Sequence, residues 1–267
     1  ESYRQQTTWK QSSAGTYVYG TNYTNGSYSD YSKNYKFRWG LKSPDDGDLG
    51  SYAEGGRNTV AYEFINEKVS EVEEFLFTSS FTSKSLDDIR TYINLDSFIE
   101  YWLTFELTLN QEPNNPGSCY MHYYNGDGKL YMGPVWDFDF GTYLTSSEFN
   151  DDGLYMKKDT HFLIANSLWY CRLLQNSNVQ NYISERWPIY MSAAEAAIAK
   201  ISAIKQYQST SSKYNFKTES EYGLWNVDKD PNSEYSMSYS AAVDRISKNL
   251  TDRVSQLNTL ITNKRYY

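Results

Sequence analysis

Two carboxylates set among bulky apolar residues constrain this chain more than any other feature. They are Asp137 and Asp139, inside the run Gly133-Pro134-Val135-Trp136-Asp137-Phe138-Asp139-Phe140-Gly141. The run overlaps the end of Lys129 to Val135, which reads as a β-strand, and a continued pleat sends both acidic side chains to one face. A carboxylate in apolar company is costly unless something pairs with it, and a hard divalent cation takes such oxygen ligands. A plainer reading stays open beside it: Asp137 caps a helix in a turn and Trp136 fills the core.

The segments before the run are equally patterned. Cys119 to Tyr124 and Lys129 to Val135 flank Asn125-Gly126-Asp127-Gly128, a strong hairpin signal. Upstream, Asp96 is placed to cap a helix running through Phe98, Ile99, Trp102, Leu103, Phe105, Leu107 and Leu109 to about Asn110. Apolar residues lie nearly all around it, which predicts a buried central helix. Another helix starts near Thr59, with Ala61, Phe64, Ile65, Val69, Val72, Phe75 and Leu76 at helical spacing. Its outer face carries Glu63, Glu67, Glu71, Glu73 and Glu74, read as a solvated acidic face.

Downstream, apolar residues between His161 and Leu174 predict a helix. Val179 to about Tyr207 predicts a long one that Pro188 kinks or splits. A polar insert, Ser209 to Ser236, precedes a last helix from Ser240 to about Asn263. Residues 1–50 are rich in Tyr, Ser and Asn, with Tyr17-Val18-Tyr19 and Tyr35 to Lys42 the strand-like pieces. The expected architecture is α+β and mostly helical, with a central hairpin and a small β-rich N-terminal cover. We expect a single domain over 1–267: the cover at 1–50, the helices, loop, hairpin and acidic run at 59–145, and the C-terminal helices at 160–265.

Composition narrows the function classes. A net charge of −8 argues against a nucleic-acid backbone as partner. No apolar stretch approaches the length of a membrane span. Two cysteines, Cys119 and Cys171, with only His122 and His161 to help, make a poor zinc set, leaving one disulfide or two buried thiols. Glu1-Ser2-Tyr3-Arg4 lacks the basic start and apolar core of a signal peptide, so the chain is either cytosolic or a processed piece. The Tyr-, Ser-, Thr- and Asn-rich surface with few cysteines favours an exported bacterial protein, extracellular or at the cell surface.

The order of parts is buried helix, polar loop Asn110-Gln111-Glu112-Pro113-Asn114-Asn115, short hairpin, then Asp137 and Asp139. Eukaryotic-type kinases use the same order: catalytic loop, hairpin, metal-binding aspartate. Phosphoryl transfer asks for positioning and charge neutralisation, which a few oxygen ligands and a metal supply. Glu112 and Asp137 are therefore the candidate catalytic pair. Asn110, Asp137 and Asp139 are candidate cofactor contacts, and Asp137 and Asp139 candidate metal ligands. Alternatives remain: Glu112 as a solvated loop residue, Asn110 as a helix C-cap, and His122 as a structural or substrate-contacting residue. Two carboxylates on one strand face also suit a glycoside hydrolase, ranked below the kinase layout.

Several of these stretches carry a family resemblance. Asn94-Leu95-Asp96-Ser97-Phe98-Ile99-Glu100-Tyr101-Trp102, Glu106-Leu107-Thr108-Leu109-Asn110-Gln111-Glu112, Ser118-Cys119-Tyr120-Met121 and Gly133-Pro134-Val135-Trp136-Asp137-Phe138-Asp139 resemble the core of the CotH family of bacterial spore-coat and secreted atypical protein kinases. Leu173-Leu174, Glu185-Arg186-Trp187 and Asp252-Arg253-Val254-Ser255-Gln256-Leu257 extend the likeness, over roughly 35–262. The resemblance implies a kinase-like C-lobe, with ATP and Mg²⁺ as cofactors and phosphoryl transfer to Ser or Thr of a secreted or surface protein. It gives Asp137 the metal and Asp139 a supporting place. Glu112 falls where the family commonly has an aspartate. Nothing before Tyr35 resembles the nucleotide-clamping N-lobe, and no Gly-x-Gly-x-x-Gly loop is present. The competing expectation is a non-catalytic scaffold that binds a surface protein or a glycan.

Overall fold

The computed structural model describes residues 2–5, 39–43, 59–110, 112–114, 119–136, 138, 142, 161–165, 167–215 and 238–266. Among them are strands β1 (Ser2–Gln5), β2 (Trp39–Ser43), β3 (Cys119–Tyr124) and β4 (Lys129–Met132). The helices are α1 (Thr59–Leu76), α2 (Leu86–Arg90), α3 (Leu95–Thr108), α4 (Tyr170–Leu173), α5 (Ser177–Asn215) and α6 (Tyr239–Thr262). The class is α+β and mostly helical, as the periodicities indicate. Tyr17-Val18-Tyr19, Asp137 and Asp139 lie outside the described residues.

The strands form one antiparallel sheet in the order β2-β1-β3-β4. β3 alternates buried and half-buried positions, Cys119, Met121 and Tyr123 facing in, as a strand with one face on a core must. The outer edge of β4 is not left open. Asn94 N–H donates to Leu130 O at 2.8 Å, Leu130 N–H to Tyr92 O at 3.1 Å, and Met132 N–H to Ser97 Oγ at 3.1 Å. The entry to α3 thus covers the edge, satisfying groups that would otherwise template aggregation. β4 ends at Met132 rather than at Val135: Gly133 takes φ +114°, a region that favours glycine, and residues 133–136 are not strand. The strand pleat therefore stops at Met132.

Contacts divide the chain into two compact units, Glu1–Glu185 with Leu260–Tyr267, and Arg186–Thr259. In the first, α3 is the buried centre: Phe98, Trp102 and Phe105 are sealed from solvent. Trp102 meets Phe162 at 4.9 Å and Tyr266 at 6.2 Å between ring centroids, and Phe162 stacks on Tyr266 at 5.4 Å. Burying large rings of this kind contributes about 2–3 kcal/mol each. The N-cap of α3 is Asn94, not Asp96; its Oδ1 accepts Ser97 N–H at 2.9 Å. Asp96 instead accepts the hydroxyl of Tyr182. α5 is started by a fully buried Asn176, whose Oδ1 accepts the N–H groups of Asn178 and Val179 while its Nδ2 donates to Phe81 O and Lys84 O.

Two further expectations need correcting. The apolar stretch from His161 is not a helix: residues 161–165 and 167–169 are bends, turns and irregular chain, and only Tyr170–Leu173 is helical. Glu73 is not solvated; it is 9 % exposed and its Oε1 accepts Trp169 Nε1–H at 3.2 Å. Cys119 and Cys171 are both buried thiols without a bridge between them.

In the second unit, α5 and α6 pair Trp187 with Asn258, Lys205 with Asp244, and Gln208 with Tyr239. Partner numbers fall as the first numbers rise, so the two helices run antiparallel there. Pro188 lies inside α5 without splitting it, and the unit boundary after Glu185 falls within one turn of it.

Candidate functional site

The C-terminal end of α3 builds the loop that carries Glu112. Asn110 N–H donates to Phe105 O at 3.0 Å and Leu109 N–H to Glu106 O at 3.4 Å, the bond pair of a Schellman ending. Leu109 supplies the left-handed residue, φ 49°, a position that ordinarily goes to glycine. Its side chain is buried, which is the compensation for that backbone.

This ending aims Asn110 inward, where it is fully buried. Its Oδ1 accepts Glu112 N–H at 2.8 Å, and its Nδ2 donates to Thr142 Oγ1 at 2.8 Å. One amide therefore spans the loop and a residue just beyond the acidic run. Asn110 does cap the helix, through its backbone, while its side chain braces Glu112. The Glu112 side chain is half-buried and opens a short 3-10 turn, Glu112–Asn114, with Pro113 buried behind it.

Beneath the loop sits Tyr101, on the face of α3 that stacks on Phe105 at 4.4 Å. Its hydroxyl is buried and has no well-formed hydrogen bond among the described residues. Burial first, then the neighbouring Cys119 thiol, Tyr170 and Glu112, push its pKa well above the usual tyrosine value. Glu112 is thus one of the charges that bear on this buried hydroxyl.

The acidic run is held at described residues on each side of its carboxylates. Trp136 meets Tyr120 edge-on at 6.3 Å, and Phe138 packs on Phe105 at 4.8 Å. Thr142 accepts from Asn110 as above. Trp136 is 56 % exposed, so it does not fill the core. Asp137 and Asp139, which flank Phe138 in sequence, lie outside the described residues. No group of three or more His, Cys, Asp or Glu side chains with metal-binding geometry occurs among the described residues. His122 stacks on Tyr131 at 5.1 Å with Nδ1 3.5 Å from Gly133 O, which ties it to the hairpin.

Two contributors escaped the sequence. Glu106, fully buried on α3, accepts Leu163 N–H at 2.8 Å and Ile164 N–H at 2.7 Å through its two oxygens. Its signal was present: an acid within a helix that is apolar all round must find donors. Thr142 had no signal of its own, because its role exists only across the 32 positions separating it from Asn110.

A family model described as CotH kinase protein matches residues 7–267. No curated protein and no solved structure matches the chain.

Proposed function

Because the chain belongs to the CotH kinase family, we propose that it transfers the γ-phosphoryl group of ATP to a Ser or Thr hydroxyl of a protein, at a site shared by Glu112 and the acidic run. The observation that carries this is the Asn110 amide, which ties the Glu112 backbone to Thr142 just past that run. In the transfer, the bond from the γ-phosphorus to its bridging oxygen breaks, a bond to the substrate oxygen forms, and ADP leaves. Glu112 accepts the proton of the attacking hydroxyl. Glu112 itself is half-buried.

Asp137 and Asp139 are the residues that would hold Mg²⁺, a cation that takes hard carboxylate oxygens. When bound, the metal neutralises phosphate charge. Asn110 would contribute by fixing the backbone of Glu112. A secreted or surface protein is the substrate class proposed, in an extracellular or cell-surface setting. No described helix is long and apolar enough to cross a membrane.

The test is titration of Mg·ATP into wild type, Asp137→Ala and Glu112→Ala, with transfer of labelled γ-phosphate to Ser/Thr-containing proteins. Binding and transfer by wild type, lost or strongly reduced in Asp137→Ala, are expected. A wild-type protein that neither binds Mg·ATP nor transfers phosphate removes this reading. A second reading, a kinase-like scaffold for a protein or glycan, draws on the exposed rings of Tyr124 and Trp136 beside the hairpin, 57 % and 56 % accessible. Glycan or partner binding abolished by Trp136→Ala, without phosphoryl transfer, would favour it.

A further inference from the structure

A cavity of about 470 Å³ lies wholly within the second unit, between the C-terminal stretch of α5 and the first turn of α6. We propose that it binds a sugar carrying a phosphate or carboxylate group. Lys205, Gln206, Ser209, Ser212 and Lys213 line it from α5, and Tyr239 from α6. The spacing of the α5 residues puts them on one helical face, over about 12 Å of axis. The volume falls in the range of small-ligand sites.

Charge decides the first half of the ligand. No carboxylate is among the lining residues, in a chain whose net charge is −8. The neighbouring Asp244 is taken by Lys205, whose Nζ lies 2.6 Å and 2.7 Å from its two oxygens. Lys213 makes no ion pair among the described residues, so its ammonium is left to receive an anionic group.

The hydroxyls decide the second half. Ser209 Oγ–H donates to Gln206 O at 2.7 Å, and Ser212 Oγ–H to Ser209 O at 3.0 Å. With those protons committed to the helix, both oxygens remain as acceptors, which suit the hydroxyl donors of a sugar and repel a bare anion. Ser212 is 5 % exposed although its sequence neighbours are exposed, so bulk water serves its oxygen poorly. Tyr239 is pinned by its own hydroxyl, which donates to Gln208 Oε1 at 2.7 Å. A ring held in this way loses little freedom when the apolar face of a sugar packs on it.

Titration calorimetry of the full chain with glucose 6-phosphate and with glucuronate tests this, with glucose and inorganic phosphate as the separate parts. At least one anionic sugar is expected to bind saturably, about tenfold or more tighter than either part. Lys213→Glu should weaken that binding by about tenfold to a hundredfold. Lys213 is itself exposed, so the variant should keep the wild-type unfolding midpoint. Lys200→Glu makes the same charge change on an exposed lysine of α5 outside the cavity, and should leave affinity within about twofold. Asp137→Ala is expected to bind the anionic sugar as wild type does. The proposal is overturned if neither anionic sugar binds, or if neither binds tighter than inorganic phosphate. Equal losses in Lys213→Glu and Lys200→Glu also overturn it, as does loss in Asp137→Ala. Phosphoryl transfer enters none of these readouts, so the kinase reading stands or falls separately.

Discussion

Glu106 accepts the backbone N–H of Ile164 at 2.7 Å, across 58 positions of sequence and without exposure to solvent. The second oxygen takes Leu163 N–H in the same way. Glu106→Ala orphans both donors and is expected to cost about 3–5 kcal/mol, against about 2 for Glu106→Gln, which keeps one acceptor. Urea midpoints with hydrogen exchange at Leu163 and Ile164 check this. An alanine variant within about 1 kcal/mol of wild type, well below the loss of two buried acceptors, would show that the clamp is not what holds the segment.

Glu112→Gln keeps the shape and removes the proton-accepting charge. A loss of about 10²–10⁴ in kcat is expected, with an unfolding midpoint close to wild type, since the braced atom is the backbone N–H. Glu112→Asp, which keeps a carboxylate, should retain more activity than Glu112→Gln. Equal rates for wild type and Glu112→Gln would remove Glu112 from the chemistry.

Alkaline pH should unfold the first unit. Burial pushes the Cys171 thiol from 9.0 to about 12, and burial, opposed by the Ser184 hydroxyl, pushes Tyr266 from 10.0 to about 12. Both groups are neutral when protonated, and folding favours that form. Their contribution is whole below about pH 9, shrinks as the unfolded chain ionises, and is gone once pH passes about 12. Cys171→Ala should flatten this decline in a pH series of unfolding midpoints. An identical slope in the variant counts against the assignment. In the native state the Cys171 thiol should resist labelling.

Leu109 sets two effects against each other. Glycine at its left-handed φ relieves about 1–2 kcal/mol of backbone penalty, whereas losing a buried leucine side chain costs about 2–5 kcal/mol. Burial wins on the central values, and Leu109→Gly is expected to be less stable by about 2 kcal/mol, the difference between the midpoints of those two ranges. A glycine variant more stable than wild type in thermal unfolding would reverse that ranking.

The pair Lys205–Asp244 should matter little. Its Nζ–O distance is 2.6 Å, yet the aspartate side chain is 68 % exposed. Asp244→Asn is expected to change stability by less than about 1 kcal/mol, and by less still at high salt. A larger, salt-independent loss would mean that the pair organises the α5–α6 contact.

Helical spacing made α1, α3, α5 and α6 legible, and the Asn-Gly-Asp-Gly turn made the hairpin legible, because local residues decide those elements. β1 was not legible: Ser2-Tyr3-Arg4-Gln5 has no strand pattern, and its conformation is set by β2 on one side and β3 on the other. The stretch from His161 misled for a related reason. Its apolar residues report burial, which an irregular segment satisfies as well as a helix, and the N–H groups of Leu163 and Ile164 go to Glu106. Asn94 rather than Asp96 is the cap because the helix already begins at Leu95, which puts the aspartate inside the first turn. At the site, the loop position of Glu112 was readable, but the amide that braces it also bonds a threonine distant in sequence.

Glu106, in the last turn of α3, and Asn110, just past its end, grip the chain at Leu163 and at Thr142. Departure and return thus share one foundation. One short stretch of chain, the end of α3 and the turn after it, therefore holds two distant points of the sequence at once, through one amide and one carboxylate.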